Sequence, residues 1–164
     1  MLAASQGWNW FSMGQLLRDA NDVESKKIIQ QGKLVPDNKV YEIVGNSIRT
    51  ASGAKEIVFD GFPRKINQAE WLINNKSLPS CSIDLVIVLD VPKIELYKRL
   101  QQRDRFDDVP LAIEERLRIY EQDTYPILDY FINQGVKIIH VDGVGSVDEV
   151  HNRVIKELIS CKLL

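Results

Sequence analysis

Histidine and cysteine are scarce in this chain. His140, His151, Cys81 and Cys161 are all there are among 164 residues. The cysteines lie far apart with no Cys-x-x-Cys spacing, which excludes a zinc finger or ribbon and fits two free thiols in a reducing compartment. Excess positive charge is missing as well: 21 Lys and Arg face 23 Asp and Glu, for a net charge of −2. That balance excludes a broad basic surface for nucleic acid, so any polyanionic ligand has to be met by a local cluster of arginines. No apolar run reaches the ~20 residues of a membrane span. The opening Met-Leu-Ala-Ala-Ser-Gln-Gly carries no basic stretch ahead of an apolar core, so it does not read as a signal peptide. Repeats, low-complexity tracts and linkers are absent too. With 45% apolar and 27% charged residues, the expectation is one soluble domain in the cytoplasm, with neither a membrane nor a nucleic acid as partner.

What is present begins with Met1 to Gln6, which reads as the last turns of a helix stopped by Gly7. Trp8 to Phe11 reads as a short strand, with Ser12 able to cap a helix from Met13 through Arg18. Two helices follow, Asp22 to Gln31 and Pro36 or Asp37 to about Thr50. Val40, Ile43, Val44 and Ile48 give the second an apolar face, and Ser52-Gly53 ends it. Asn21 to Ala51 is thus a helical excursion between two strands. Glu56 to Asp60 is the next strand, leading to a helix from Lys65 to about Asn74 with Ala69, Leu72 and Ile73 inward. Leu85 to Leu89 is apolar without alternation, as in a strand buried on both faces of a parallel sheet. Helices are expected from about Lys93 to Arg103 and from about Pro110 to Gln134, the latter kinked or interrupted by Pro126. Val136 to Val141 is the last strand, and Ser146 with Glu149 makes a capping box for a terminal helix. Strands alternating with helices imply an α/β fold with a parallel sheet.

The chain turns on Ile57-Val58-Phe59-Asp60-Gly61-Phe62-Pro63-Arg64, with Gln68 four residues on. Pro63 forbids the strand from continuing, and Gly61 can turn sharply. Arg64 is thereby held at the carboxyl end of a strand, where open α/β sheets bind ligands. A guanidinium there is a five-donor fork suited to phosphate. The Gln68 amide can both donate and accept, as a base edge requires. Taken alone, the stretch is equally a strand, a tight turn and a helix start with Arg64 solvated. Arg18 alone is an exposed helix residue, and Lys33-Leu34-Val35 alone is a turn between helices. Arg99, Arg103, Arg105 and Arg116 alone make a salt-bridged surface, with Asp104, Asp107, Glu114 and Glu115 nearby.

Asp60 to Arg64 plus Gln68 resembles the monophosphate-site signature of the adenylate kinases. Five further segments match in order: Phe11 to Arg18, Gly32 to Asp37, Asp90-Val91-Pro92, Arg99 through Arg116, and Val141-Asp142-Gly143. The resemblance implies a nucleoside monophosphate kinase, ATP + AMP ⇌ 2 ADP, with Mg²⁺ arriving on ATP rather than held by a dedicated protein site. By resemblance, Ser12, Met13, Arg18, Lys33, Val35, Gly61, Arg64 and Gln68 bind AMP, and Arg99, Arg103 and Gly143 bind ATP. Arg64, Arg103, Arg105 and Arg116 meet the moving phosphoryl group, with Asp60 orienting Mg²⁺ through water. Asp107 and Asp108 pair with the arginines as the site closes. Met13 and Gln15 stand where the family usually has Thr and Asp. Residues 19–51 correspond to the helical monophosphate-binding flap, and 103–108 to a vestigial lid of the short form.

The family fold is P-loop NTPase-like and three-layered, with five parallel strands in the order 2-3-1-4-5. Only four strands are legible here, and the central first one is missing. No Gly-x-x-x-x-Gly-Lys phosphate cradle occurs in these residues; roughly 20–25 more are expected ahead of Met1. The sheet is therefore expected either to show a gap between its Glu56–Asp60 and Leu85–Val91 strands or to be completed by another chain. The family is monomeric, so dimerisation or a swapped strand would be the departure. The expected behaviour is retained monophosphate contacts with weak catalysis. The reading from another class is a non-catalytic nucleotide-binding or interaction module.

Overall fold

The computed structural model describes residues 1–20, 22–51, 53–75, 82–103 and 105–164. Four parallel-paired strands lie among nine α-helices in that described part: α1 (Leu2–Gln6), β1 (Asn9–Ser12), α2 (Met13–Asp19), α3 (Val23–Gln30), α4 (Asp37–Thr50), β2 (Ile57–Asp60), α5 (Ile66–Asn74), β3 (Leu85–Asp90), α6 (Lys93–Gln102), α7 (Pro110–Ile119), α8 (Ile127–Asn133), β4 (Lys137–Asp142) and α9 (Val147–Ser160). Local signals set many of these bounds. Gly7 closes α1 in the left-handed conformation, Asp22 caps α3 through its side chain, and Ser146 with Glu149 forms a full capping box on α9. Ser12 stands at the N-cap of α2 without a capping hydrogen bond from its side chain, so its hydroxyl remains available. Asn21, Ser52, Cys81 and Asp104, which bear on the start and stop of the excursion, the second thiol and the acidic break, lie outside the described residues. Cys161 is a free thiol. No helix among the described residues is long and apolar enough to cross a membrane.

The strands do not form one sheet. β1 pairs with β2 from Asn9↔Ile57 to Ser12↔Asp60, and β3 with β4 from Leu85↔Lys137 to Asp90↔Asp142. β2 and β3 are not hydrogen-bonded to each other. Between them runs a cleft of about 1500 Å³, lined by β2 and β3 and by apolar side chains such as Ile113, Ile127, Phe131 and Val154. This is the gap expected where the family's first strand belongs. It also corrects the expectation for β3, which was read as buried on both faces: only Val88 is buried, and Leu85, Val86 and Ile87 are half-exposed. With one edge open, each of those three forgoes about 1 kcal/mol of burial.

The core is divided accordingly. Met13, Leu17, Val35, Val40, Val44, Ile48 and Phe62 form one cluster beneath the helical excursion. Spacing at i, i+4 and i+8 puts Val40, Val44 and Ile48 on one face of α4. Trp71 packs at the edge of that cluster and stacks on Tyr41, with ring centroids 4.5 Å apart. A second cluster joins β4 to α9 through Ile139, Val141, Val154 and Leu158. A third joins α5 to α8 through Ala69, Ile127 and Phe131. The long helix expected from Pro110 to Gln134 is broken into α7, a π-helical turn at Tyr120–Thr124, and α8. Pro126, lacking an N–H, heads α8.

Candidate functional site

At the carboxyl ends of β1 and β2 lies a pocket of about 260 Å³. The β1–α2 corner brings Ser12, Met13 and Arg18 to it, and the α3–α4 link brings Lys33 and Val35. The end of β2 and the turn after it bring Asp60, Gly61, Arg64 and Gln68. From the opposite side, α6 brings Leu100, the link to α7 brings Arg103, Arg105 and Asp107, and α7 brings Arg116. Five guanidinium groups from four separate segments thus face one volume.

Arg64 is set by the turn that precedes it. Gly61 has φ +77, and a Cβ there would stand 2.8 Å from the Arg64 Nη2, so only glycine permits this approach. The Arg64 Nε donates to the Gly61 carbonyl at 2.9 Å, while its Nη atoms have no hydrogen-bond partner among the described residues. Thr124 Oγ1 donates to the Arg64 carbonyl at 3.1 Å and pins the backbone from the far side. Burial pushes the Arg64 pKa down, Asp60 opposes this, and Arg116 and Arg18 push it down further. Arg105 is pushed down by burial and then by Arg103 and Arg18, and it makes no hydrogen bond or ion pair among the described residues. Both remain cations, since guanidinium does not deprotonate in proteins. The like-charge repulsion reports that these groups converge.

Arg103 and Arg116 differ, because carboxylates neutralise them. Arg103 forms a two-pronged pair with Asp108, at 2.7 and 2.6 Å. Arg116 reaches Asp108 at 2.8 Å, the Asp107 carbonyl at 2.9 Å and the Asp107 carboxylate. Burial raises the Asp108 pKa, but the bonds from Arg103 and Arg116 outweigh it and hold the carboxyl below the usual aspartate range. Hydrogen bonding to Asp108 raises Arg103 in turn. The Asp107 Oδ1 is buried without a partner among the described residues. The stretch is salt-bridged, with Asp107 and Asp108 as the partners of Arg103 and Arg116 rather than Glu114 and Glu115, and the same arginines also line the pocket.

Gln68 is only 2% exposed. Its Oε1 accepts from the Arg64 backbone N–H at 2.8 Å, and its Nε2 donates to Asp37 Oδ1 at 2.7 Å. In the sequence Asp37 closes the Gly32-to-Asp37 segment and heads a helix, and neither placement points to this bond. Its position one residue past Pro36 says nothing of a partner 31 positions away. Arg99 and Gly143 are brought together elsewhere: Arg99 Nη1 donates to the Gly143 carbonyl at 2.9 Å, and neither residue lines the arginine pocket. Among the described residues no three His, Cys, Asp or Glu stand close enough to hold a metal ion. Asp60 lies exposed at the pocket wall, where one carboxylate suits a cation that arrives with phosphate and keeps its waters.

Helices flanking parallel strands, with an arginine-lined pocket at the strands' carboxyl ends, define a P-loop NTPase-like α/β protein. The adenylate kinase family model matches residues 1–136. An adenylate kinase of Parabacteroides distasonis is 32% identical over 170 residues, covering 98% of this chain and 88% of that protein. One of Mycobacterium sp. (strain MCS) is 34% identical over 163 residues, covering 96% and 88%. One of Phocaeicola vulgatus is 35% identical over 130 residues, covering 77% and 68%. The chain belongs to the adenylate kinase family, which makes it a member of the nucleoside monophosphate kinases.

Proposed function

We propose that this chain binds AMP in the arginine pocket and belongs to the reaction ATP + AMP ⇌ 2 ADP, with low turnover in the 164 residues taken by themselves. The convergence of Arg18, Arg64, Arg103, Arg105 and Arg116 on one volume carries this reading. Phosphoryl transfer asks little covalent chemistry of a protein, and mainly needs two nucleotides held in line with positive charge where the group passes. Arg64 and Arg18 clamp the AMP phosphate, having donors to spare. Ser12, Met13, Lys33 and Val35 line the sugar and base, and Gln68 reads adenine. Arg103, Arg105 and Arg116 stabilise the group in flight, while Arg99 and Gly143 flank the ATP base. Mg²⁺ carried by ATP supplies neutralisation of phosphate charge, and Asp60 is the carboxylate placed to meet its waters. Residues 19–51 act as the monophosphate flap, and 103–108 as the whole of the lid.

The open cleft between β2 and β3 favours a second component of the reading. A backbone cradle and lysine for the ATP phosphates would follow a strand seated there, and no Gly-x-x-x-x-Gly-Lys run occurs in the sequence. Losing one donor of that kind costs roughly 10²–10³ in rate. Titration calorimetry with AMP and a coupled ADP-production assay on the same sample test both parts. Measurable AMP binding with turnover orders of magnitude below the Parabacteroides distasonis relative is expected. Turnover equal to that relative would defeat the low-activity reading, and no AMP binding would defeat the pocket assignment.

A further inference from the structure

Gln68 is the only side-chain amide in the pocket wall among the described residues, and its two ends are held by partners of opposite chemistry. An N–H holds its oxygen and a carboxylate holds its nitrogen. Turning the amide over would set Nε2 against the Arg64 N–H and Oε1 against the Asp37 carboxylate, two repulsive contacts in place of two bonds. Asp37 is itself held: Asn67 Nδ2 donates to its Oδ2 at 2.7 Å and Lys65 Nζ lies 3.2 Å from its Oδ1. Its place in the first turn of α4 is also favourable for a carboxylate. Each end of the Gln68 amide then has one capacity left, a single N–H on Nε2 and a single lone pair on Oε1.

A fixed donor beside a fixed acceptor matches one order of groups on a purine and not the reverse. A 6-amino purine offers an N6–H donor and an N1 acceptor, to Oε1 and Nε2 respectively. A 6-oxo purine offers O6 as acceptor and N1–H as donor, which meets the locked amide with two like groups. We infer that Asp37 is a positioning residue that sets base specificity: by holding the Gln68 amide in one orientation, it makes the pocket select 6-amino over 6-oxo purine monophosphates. This rests on the assignment of the pocket to AMP under "Proposed function".

IMP is the matched probe, since it differs from AMP only at the 6-position and the N1 proton. Dissociation constants for AMP and IMP are to be measured by calorimetry on the full chain and on Asp37→Ala and Asp37→Asn. The wild type should prefer AMP by about 5–150-fold, the range a two-bond base contact discriminates. Asp37→Ala should cut that ratio at least about fivefold, because one of two orienting bonds is gone. Asp37→Asn, which keeps an acceptor oxygen, should retain it. A purely structural role for Asp37 would weaken AMP and IMP together and leave the ratio unchanged, which would overturn the inference. NMR of the wild-type Gln68 side-chain amide supplies a readout that needs no variant to fold. One of its two protons should be protected from solvent exchange before nucleotide is added, and two freely exchanging protons would also overturn it. A wild type with a protected proton that binds neither nucleotide would instead refute the AMP pocket itself, and the inference with it.

Discussion

Replacing Arg64 or Arg116 by methionine removes the same charge from the same pocket, yet the structure gives the two changes very unequal consequences for stability. Arg64 makes one side-chain hydrogen bond, to the Gly61 carbonyl, and is opposed by Arg18 and Arg116. Methionine fills much of the stem volume. The lost bond, worth about 1 kcal/mol, is offset by relief of repulsion and of burying a cation. The expected change in Tm for Arg64→Met is within roughly 3 °C of zero. Arg116 instead neutralises two aspartates whose side chains are each 3% exposed. Asp108 keeps Arg103, but the Asp107 carboxylate is left with no partner for either oxygen. Breaking a buried pair from one side costs about 3–5 kcal/mol, so Arg116→Met should melt roughly 6–20 °C lower for a domain of this size. Binding separates the two again. Arg64 has free Nη donors for a phosphate, and two charge-assisted bonds of about 1.5–3 kcal/mol each predict AMP affinity some 10²–10⁴-fold lower in Arg64→Met. Scanning calorimetry and AMP titration on the same samples read both effects. Arg64→Met melting as far below wild type as Arg116→Met, or binding AMP within about threefold of it, would refute the reasoning.

Gly61→Ala forces a Cβ into a left-handed position 2.8 Å from the Arg64 guanidinium. It should cost about 1–3 kcal/mol in strain and, by displacing Arg64, up to about 100-fold in AMP affinity. Gly53→Ala is the control: Gly53 has φ +93 with nothing within 4 Å of the added Cβ, so calorimetry should show similar destabilisation with AMP binding unchanged. The second prediction concerns acid. Asp108 titrates below its unfolded value, so the native state binds fewer protons there than the unfolded chain. Its contribution is complete above about pH 4 and is lost as pH falls through the lowered folded value. Urea melts at descending pH should therefore show a steeper loss below about pH 4 in the wild type than in Asp108→Asn, and parallel curves would contradict the assignment.

What the sequence made legible was local. A serine and a glutamate three apart specify the α9 capping box wherever the helix later packs, and Gly7 stops α1 for reasons confined to its own backbone. Asp60 to Arg64 could be read because a strand, a glycine and a proline fix where the next side chain points. Contacts between distant segments were a different matter. The Asp37–Gln68 bond depends on how α4 lies against α5, which no spacing encodes. The break at Tyr120–Thr124 was expected at Pro126 itself, but the ring displaces the turn before it. The half-exposure of β3 followed from the missing neighbour at its edge, whereas apolarity alone had suggested full burial. The gap between β2 and β3 was foreseen, because only four strands could be read and the central one was not among them.

The divided sheet bears on why AMP binding and phosphoryl transfer are proposed to separate in this chain. Among the described residues, no side chain of β3 or β4 lines the arginine pocket. Its far wall comes from α6, α7 and the link between them, and two contacts tie the helical run that continues from α7 to the β2 side. Ala69 of α5 packs on Ile127 and Phe131 of α8, and Thr124 fastens the backbone of Arg64. Arg116, from the same run of helix, reaches across to the pocket that Arg64 enters from the other side. The arginine pocket therefore rests on helix-to-helix packing that bridges the cleft, while the proposed reaction would also need an ATP-phosphate cradle of the kind that follows a strand seated in the cleft. A cleft lined by partly exposed Leu85, Val86 and Ile87 forgoes about 3 kcal/mol of burial, but none of those three lies among the elements that carry Arg18, Arg64 and Gln68, which are α2, the turn after β2 and α5.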